Sequence, residues 1–355
     1  MTVSIKDIAK AADVSHSTVS RALSDSSLVS AETKERIQRL AREMGYSPDA
    51  QARSLVIGRT HTIGVVVTTI IDPFIAEIVQ AVESTAHDHG YSVILASSNS
   101  RRQREIAAVE MLRSKRVDAV IVTSSRVGAL YQAHLDRLGA PVVLINSRSE
   151  QRGPYTFSVT VDNQHGGHLA TGHLICGGHR RIAYVAGASN HSDDRERMSG
   201  YRQALVEAGI TFDSALVVRG TGRADGGERA LPELMDLGDR PTGAFCYNDM
   251  TAIGLLRAAR SFGIGVPAEL AVVGFDDIPF AAYVSPSLTT IAQPKPEMGR
   301  KAVEMALALM GGEDSDPSAY TNVVVRGRLV VRESSGQGAP LGFEAGPKLV
   351  SGAGY

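Results

Sequence analysis

Polar side chains able to grip a ligand recur at the ends of hydrophobic runs in this sequence. Thr69 to Phe74 contains Asp72, and Asn146, Asp162, Asn248-Asp249 and Asp276-Asp277 each follow or close an apolar stretch. A further cluster, Ser192-Asp193-Asp194-Arg195-Glu196-Arg197, combines carboxylates with two cations at the start of a helical segment. Carboxylate, guanidinium and amide groups together donate and accept hydrogen bonds in planar pairs, which suits a ligand bearing several hydroxyls. Asx residues at strand ends also cap the next helix, and that is the role expected for Asp249 and Asp277. His165, His168, His173 and His179 are the only concentration of histidine, and no cysteine or carboxylate completes a metal set among them. No metal and no cofactor is expected. GxGxxG opening a first helix, a P-loop, GxSxG and HExxH are all absent, so the sequence offers no recognisable nucleophile–base pair.

The apolar runs set the frame for these groups. IGVVVTT, YSVILASS, VDAVIVTS and PVVLINS alternate with helical stretches beginning near Phe74, Arg102 and Val127. RIAYVAG, ALVVRG, GAFCYND and LAVVGFDD repeat the rhythm, with helices around 195–208, 226–235 and 250–262. Such βαβ alternation builds a parallel sheet with ligands outside the carboxyl ends of its strands. Two similar lobes are expected, the first about 61–161 and 292–320, the second about 162–291 and 321–333. A helix over 295–310 should return the chain to the first lobe, and Val323–Arg328 should form a last strand. Beyond Arg332 the sequence turns Gly-rich and aperiodic, which predicts a disordered tail over 334–355.

Residues 1–46 follow different rules. Ser4-Ile5-Lys6-Asp7 has the form of a capping box, and Ile5, Ile8, Ala9 and Ala12 recur at helical spacing before Asp13-Val14 closes the turn. Ser15 caps a second helix that buries Val19, Ala22 and Leu23 and turns out His16, Ser17, Ser20 and Arg21. A third helix runs from Ser30 through Ile37, Leu40, Ala41 and Met44 to Gly45. Three short capped helices in this order form a minimal helix-turn-helix core. Charge alone would not have suggested nucleic acid: residues 1–60 carry nine Lys/Arg against seven Asp/Glu, and the whole chain has a formal charge of −1. Ser47 to Leu55 can form only a short helix, with Pro48 suited to its first turn, and so short a helix should order only when held.

The segments IKDIAKAADVSHSTVSRALS and VSAETKERIQRLAREMGYSPDAQARSL together resemble the headpiece of the lactose/galactose-repressor family, and the remainder is similar to that family's two-lobed sensor, itself like periplasmic sugar-binding proteins. The implied architecture is an all-α helix-turn-helix headpiece (1–46), a hinge (47–60) and an α/β periplasmic-binding-protein-like body (61–333). The resemblance implies DNA contacts from Ser4, Ser15, His16, Ser17, Thr18, Ser20 and Arg21. Arg21 is the favoured base reader, since guanidinium can donate two hydrogen bonds to guanine O6 and N7. In the hinge it implies Leu55 as a minor-groove wedge, with Ala52 at the contact between two paired hinges. It implies an effector cleft lined by Asp162, Arg197, Asn248 and Asp276, with Phe74 as an apolar platform and Gln293 and Phe275 nearby. Asp193 stands where the lactose repressor has a serine, and Thr221-Gly222-Arg223 offers no aromatic where that protein has a tryptophan. A galactoside is therefore put in doubt while a sugar or polyol stays the favoured class.

The expected partners are palindromic operator DNA, a small-molecule effector and a second copy of the chain, because no C-terminal leucine heptad helix is present for further assembly. Lys6, Asp7, Lys10 and Asp13 interrupt the N-terminus before a signal-peptide core can form, so a cytoplasmic repressor is expected, with no membrane association. The rival readings are a solute-binding receptor, which shares the body's fold, and an enzyme of sugar metabolism. Cys176 and Cys246 are expected to be buried, reduced thiols.

Overall fold

The computed structural model describes residues 3–46, 58–124, 140–147, 156–188, 192–311 and 322–336. It divides into two units, residues 1–61 and 62–355. The first unit holds three helices: α1 (Ile5–Ala12), α2 (His16–Leu23) and α3 (Ala31–Glu43). Ser4 and Asp7 cap α1 reciprocally, and Asp13 ends it in the left-handed conformation at φ 51°. Ser15 and Ser30 cap α2 and α3 by accepting from the amides of Thr18 and Thr33. Ile8, Ala9, Ala12, Val19, Ala22, Ile37 and Ala41 meet in one small core, with Leu23 half-buried at its margin. So small a core leaves little in reserve, which makes the three caps, each contributing roughly 1 kcal/mol, a substantial share of the head's stability.

The second unit contains two six-stranded sheets. The first lobe comprises β1 (Thr62–Val67), α4 (Pro73–Asp88), β2 (Ser92–Ser97), α5 (Arg102–Ser114), β3 (Ala119–Thr123), β4 (Val142–Ile145) and β5 (Thr156–Val161). The chain then enters the second lobe through α6 (Asn163–Cys176), β6 (Ile182–Ala186), α7 (Ser192–Glu207), β7 (Val217–Arg219), α8 (Ala224–Met235), β8 (Gly243–Cys246), α9 (Asp249–Ser261), β9 (Ala271–Asp276) and β10 (Thr289–Ala292). It returns as α10 (Lys295–Met310), which packs on α4, and finishes with β11 (Asn322–Val325) and β12 (Arg328–Val330). The sheet orders are β11-β5-β4-β3-β1-β2 and β12-β10-β9-β8-β6-β7, parallel throughout except for the antiparallel β10–β12 pair.

Both sheets change winding direction beside their first strand, so the carboxyl ends of β1 and β6 open onto the switch points where such sheets bind ligands. β1, β3, β4, β6, β8 and β9 are buried almost end to end, as expected of strands covered on both faces. Among the described residues no helix is long and apolar enough to cross a membrane.

The C-terminal part differs from the sequence expectation in two ways. Val323–Arg328 is not one strand but parts of two, with β11 in the first sheet and β12 in the second, so Asn322–Val325 belongs to the first lobe. Gly327 makes the step between sheets possible, since a Cβ there would press on Ile291 and the Ala292 carbonyl. The chain also remains packed beyond Arg332. Ser334 and Ser335 are buried, the Ser334 hydroxyl donates to the Val272 carbonyl at 2.6 Å, and Ser335 meets His173 Nε2 at 2.8 Å. Only residues 337–355 of the expected tail lie outside the described residues.

Candidate functional site

In the head, His16, Ser17, Ser20 and Arg21 are exposed and lie at positions one turn apart on α2, while Val19 and Ala22 face the core. Thr18 is half-buried, and its hydroxyl and amide both meet the Ser15 hydroxyl, at 2.8 and 3.1 Å. Ser15 also meets Ser17 at 2.8 Å. The result is a face of short hydroxyls with one guanidinium, rigid because the cap and the core fix it from behind. Ser4 is committed locally, its hydroxyl donating to Asp7 Oδ2 at 2.7 Å, and that bond with the one from the Ser4 amide holds the Asp7 carboxyl below the usual range. Ala52 and Leu55 lie outside the described residues.

In the body, Asp193, Tyr247, Phe275 and Asp276 lie around Arg197. α7 carries it against α6 because Gly167 and Gly200 allow the two helices to touch: a Cβ on Gly200 would overlap the Gln164 carbonyl, and one on Gly167 the Arg197 carbonyl. The guanidinium is only 3% exposed. Its Nε donates to Asn163 Oδ1 at 2.9 Å, Nη1 donates to the Tyr247 carbonyl at 2.5 Å, and Asp276 Oδ1 lies 3.9 Å away. Two aromatic rings lie against it, with Phe275 3.7 Å and Tyr247 4.7 Å from the guanidinium carbon to ring centroid. Burial lowers the tendency of this group to stay charged, but Tyr247, Asp276 and Asp193 more than offset it.

Asp276 ends β9 with φ at 123°, and its Oδ1 accepts from Gln293 Nε2 at 2.7 Å. Gln293 in turn accepts from Asn146 Nδ2 at 3.3 Å, joining the end of β4 in the first lobe to the second lobe. Asn146 Oδ1 is buried and has no hydrogen-bond partner among the described residues. Burial pushes the Asp276 carboxyl well above the ordinary carboxylate range against the pull of Arg197, and the charges of Asp249 and Asp72 raise it further. Asp72, in the first lobe, is itself raised by burial. Carboxyls from both lobes, Asp72 and Asp276, thus act on each other beside the buried Arg197.

Other residues are placed differently from expectation. Asn248, not Asp249, caps α9: its Oδ1 accepts from the Thr251 amide at 3.0 Å and hydroxyl at 2.7 Å, and its Nδ2 donates to the Gly222 carbonyl at 3.0 Å. Asp249 is wholly buried, accepting from the Ile278 amide at 2.9 Å and the Thr290 hydroxyl at 2.5 Å. Asp277 caps no helix either; it accepts from Arg332 Nη2 at 2.7 Å. Asp162 caps α6 through the His165 amide at 3.0 Å, with Arg326 3.9 Å from its other oxygen. Asp193 accepts the Tyr247 hydroxyl at 2.5 Å and the Asp194 amide at 3.0 Å. Phe74 is 7% exposed within the core, and Phe275 is wholly buried as the floor under Arg197.

Sequence reasoning missed Asn163, Tyr247 and Lys295. Tyr247 follows β8 directly, so the strand-end rule could have found it; the other two are silent without their partners. The histidines diverge, His168 to Glu207 at 2.6 Å, His173 to Ser335 and His179 to Thr242 at 3.0 Å. Cys246 is buried as expected, whereas Cys176, at the end of α6, is exposed. Among the described residues no group of three or more His, Cys, Asp or Glu could hold a metal ion.

Comparison with known proteins gives the same division. Residues 4–49 match the model for bacterial regulatory proteins of the lacI family, and residues 171–335 match that of the periplasmic binding protein-like domain. The HTH-type transcriptional repressor CytR of Escherichia coli (strain K12) is 36% identical over 309 residues, covering 87% of this chain and 90% of CytR. The repressor PurR of Proteus mirabilis (strain HI4320) is 34% identical over 339 residues, covering 94% and 97%. A Lac repressor dimer bound to operator and the anti-inducer ONPF superposes with a TM-score of 0.85 at 27% identity, covering 95% of this chain and 100% of that one. The regulator CelR in complex with cellobiose gives 0.71 at 32% identity, covering 94% and 100%. A capped three-helix head with an exposed reading face, followed by a two-lobed sensor of this topology, places the chain in the LacI family of bacterial transcriptional regulators.

Proposed function

We propose that this chain is a cytoplasmic repressor that binds a near-palindromic operator as a homodimer and is released by a sugar or sugar-like effector held between the two lobes. The carrying observation is Arg197, a buried guanidinium set against two aromatic rings and faced by Asp276. Arg197 would donate to one hydroxyl and the Asp276 carboxyl would bond its neighbour, Gln293 and Asn146 would supply the amides, and the Asn146 Oδ1, without a partner among the described residues, would accept from a ligand hydroxyl. Phe74 and Phe275 would bound the apolar side. Asp162, Asn248 and Asp193 would act by shaping the cleft, since helix caps and the Tyr247 hydroxyl engage their oxygens. Solved relatives hold cellobiose and, in an Enterococcus faecium regulator, ribose, which supports the ligand class.

On the DNA side, Arg21 would read a base, with His16 and Ser17 beside it and Ser4, Ser15, Thr18 and Ser20 near phosphates. Leu55 and Ala52 would act in the paired hinges. The relatives are repressors, and this chain is read as a regulator without catalytic activity.

Titration calorimetry with a panel of mono- and disaccharides tests the effector assignment. A binding sugar should lose at least roughly 100-fold in affinity with Arg197→Met, because charge-assisted hydrogen bonds contribute about 1.5–3 kcal/mol each. Equal binding by wild type and variant would remove Arg197 from the site.

A further inference from the structure

Lys295, the first residue of α10, is 4% exposed, and its ammonium stands at the positive end of a helix. Both conditions oppose a cation, so its partners must outweigh burial and helix dipole together. The partners come from both lobes. Nζ donates to the carbonyls of Asp276 at 2.9 Å and Asp277 at 2.6 Å, at the end of β9, and pairs with Glu77 Oε1 on α4 at 3.1 Å. Glu77 and Lys295 sit on helices packed together in the first lobe, whereas the two carbonyls belong to the second.

The backbone they hold is strained. Asp276 and Asp277 are consecutive non-glycine residues with φ at 123° and 53°, a conformation that persists only where surroundings over-determine it. Arg332 and Thr290 anchor Asp277 from within the second lobe, at 2.7 and 3.4 Å. The bonds from Lys295 Nζ to the Asp276 and Asp277 carbonyls reach the same turn from the first lobe.

We propose that Lys295 is the positioning residue of the effector cleft, clamping the strained Asp276–Asp277 turn from the opposite lobe so that the Asp276 carboxylate is aimed at Arg197 and Gln293. This inference rests on Asp276 lining the effector site. The aim of that carboxylate then depends on the relative placement of the lobes: separating them withdraws the ammonium, and the turn is free to relax. Lys295 need touch no ligand to do this.

Hydrogen exchange on the full-length, ligand-free protein tests the proposal without any sugar, so its failure is separate from failure of the effector assignment. In Lys295→Met the amides of Asp277 and Ile278 should exchange at least about tenfold faster, the factor matching ~1.4 kcal/mol of local opening, while β6 and β8 keep their rates. Lys295→Arg, which restores the cation, should recover most of the protection. Glu77→Gln, which keeps the side chain's shape, should move the same amides in the same direction by less, and stands as the readout if Lys295→Met does not fold. Unchanged exchange at 277–278, or acceleration spread evenly over the second lobe, would overturn the assignment, the latter by showing a residue that only stabilises the fold.

Discussion

Asp249→Asn should make the protein more stable at pH 8 and about 1 kcal/mol less stable at pH 4. The wild-type carboxyl has no solvent exposure, and burial pushes it from an ordinary 3.8 up to about 7 despite the bonds from Thr290 and Ile278. A carboxyl raised on folding contributes fully below its unfolded value and loses that contribution as pH rises through its folded value. At ~1.4 kcal/mol per pH unit, that interval corresponds to roughly 4 kcal/mol lost by about pH 7. Asparagine keeps the shape and carries no charge. Its carbonyl can accept from the Ile278 amide, while its NH2 donates to a Thr290 hydroxyl that rotates to receive it, at a cost of about 1 kcal/mol. The net gain at pH 8 is then of the order of 3 kcal/mol. Urea unfolding from pH 4 to 8 measures it: the wild-type curve should fall with pH and the variant's should fall less, the remainder belonging to Asp276. A variant no more stable than wild type at pH 8 would refute the argument that this carboxyl is charged and buried there.

Two further outcomes follow from the head and from the helix pair behind Arg197. Arg21→Ala should weaken operator binding by about 1–3 kcal/mol and relax preference at one base position, as read by selection of bound sequences; selectivity retained at every position would mean that Arg21 contacts phosphate only. Gly200→Ala places a methyl against the Gln164 carbonyl and the His168 amide, neither of which is a flexible side-chain end. It should cost about 1–3 kcal/mol in denaturant unfolding and weaken effector binding by displacing Arg197, and an unaltered midpoint would show that α6 and α7 have slack.

The strands were legible because β-branched runs such as IGVVVTT and VDAVIVTS carry their burial in their composition, and the head was legible because each cap sits next to the helix it starts. What escaped notice depends on distant partners or on single-residue register. Asn248 and Asp249 are both capping residues by type, and only the backbone decides that Asn248 precedes the first helical residue while Asp249 turns inward to Thr290. Val323–Arg328 opens on three valines and reads as one strand, but a β-branched run says nothing about which sheet a strand joins, and the step at Gly327 comes from tertiary packing. Ser334-Ser335 reads as the start of a polar tail until the Val272 carbonyl and His173 appear beside it. Lys295 is one of only seven lysines, but nothing in its neighbours marks it; its partners lie 18 to 19 residues upstream in Asp276 and Asp277, and farther still in Glu77.

The interlacing of the two lobes has a consequence for the order in which the protein comes into being. One edge strand of the first sheet is residues 322–325 and one of the second is residues 328–330, so neither sheet can be finished until nearly the whole chain has left the ribosome. The three helices of the head are complete by residue 43. During synthesis a DNA-reading unit therefore exists well before the sensor meant to govern it, and a chain cut short of residue 322 lacks a strand in both lobes at once while keeping its head intact.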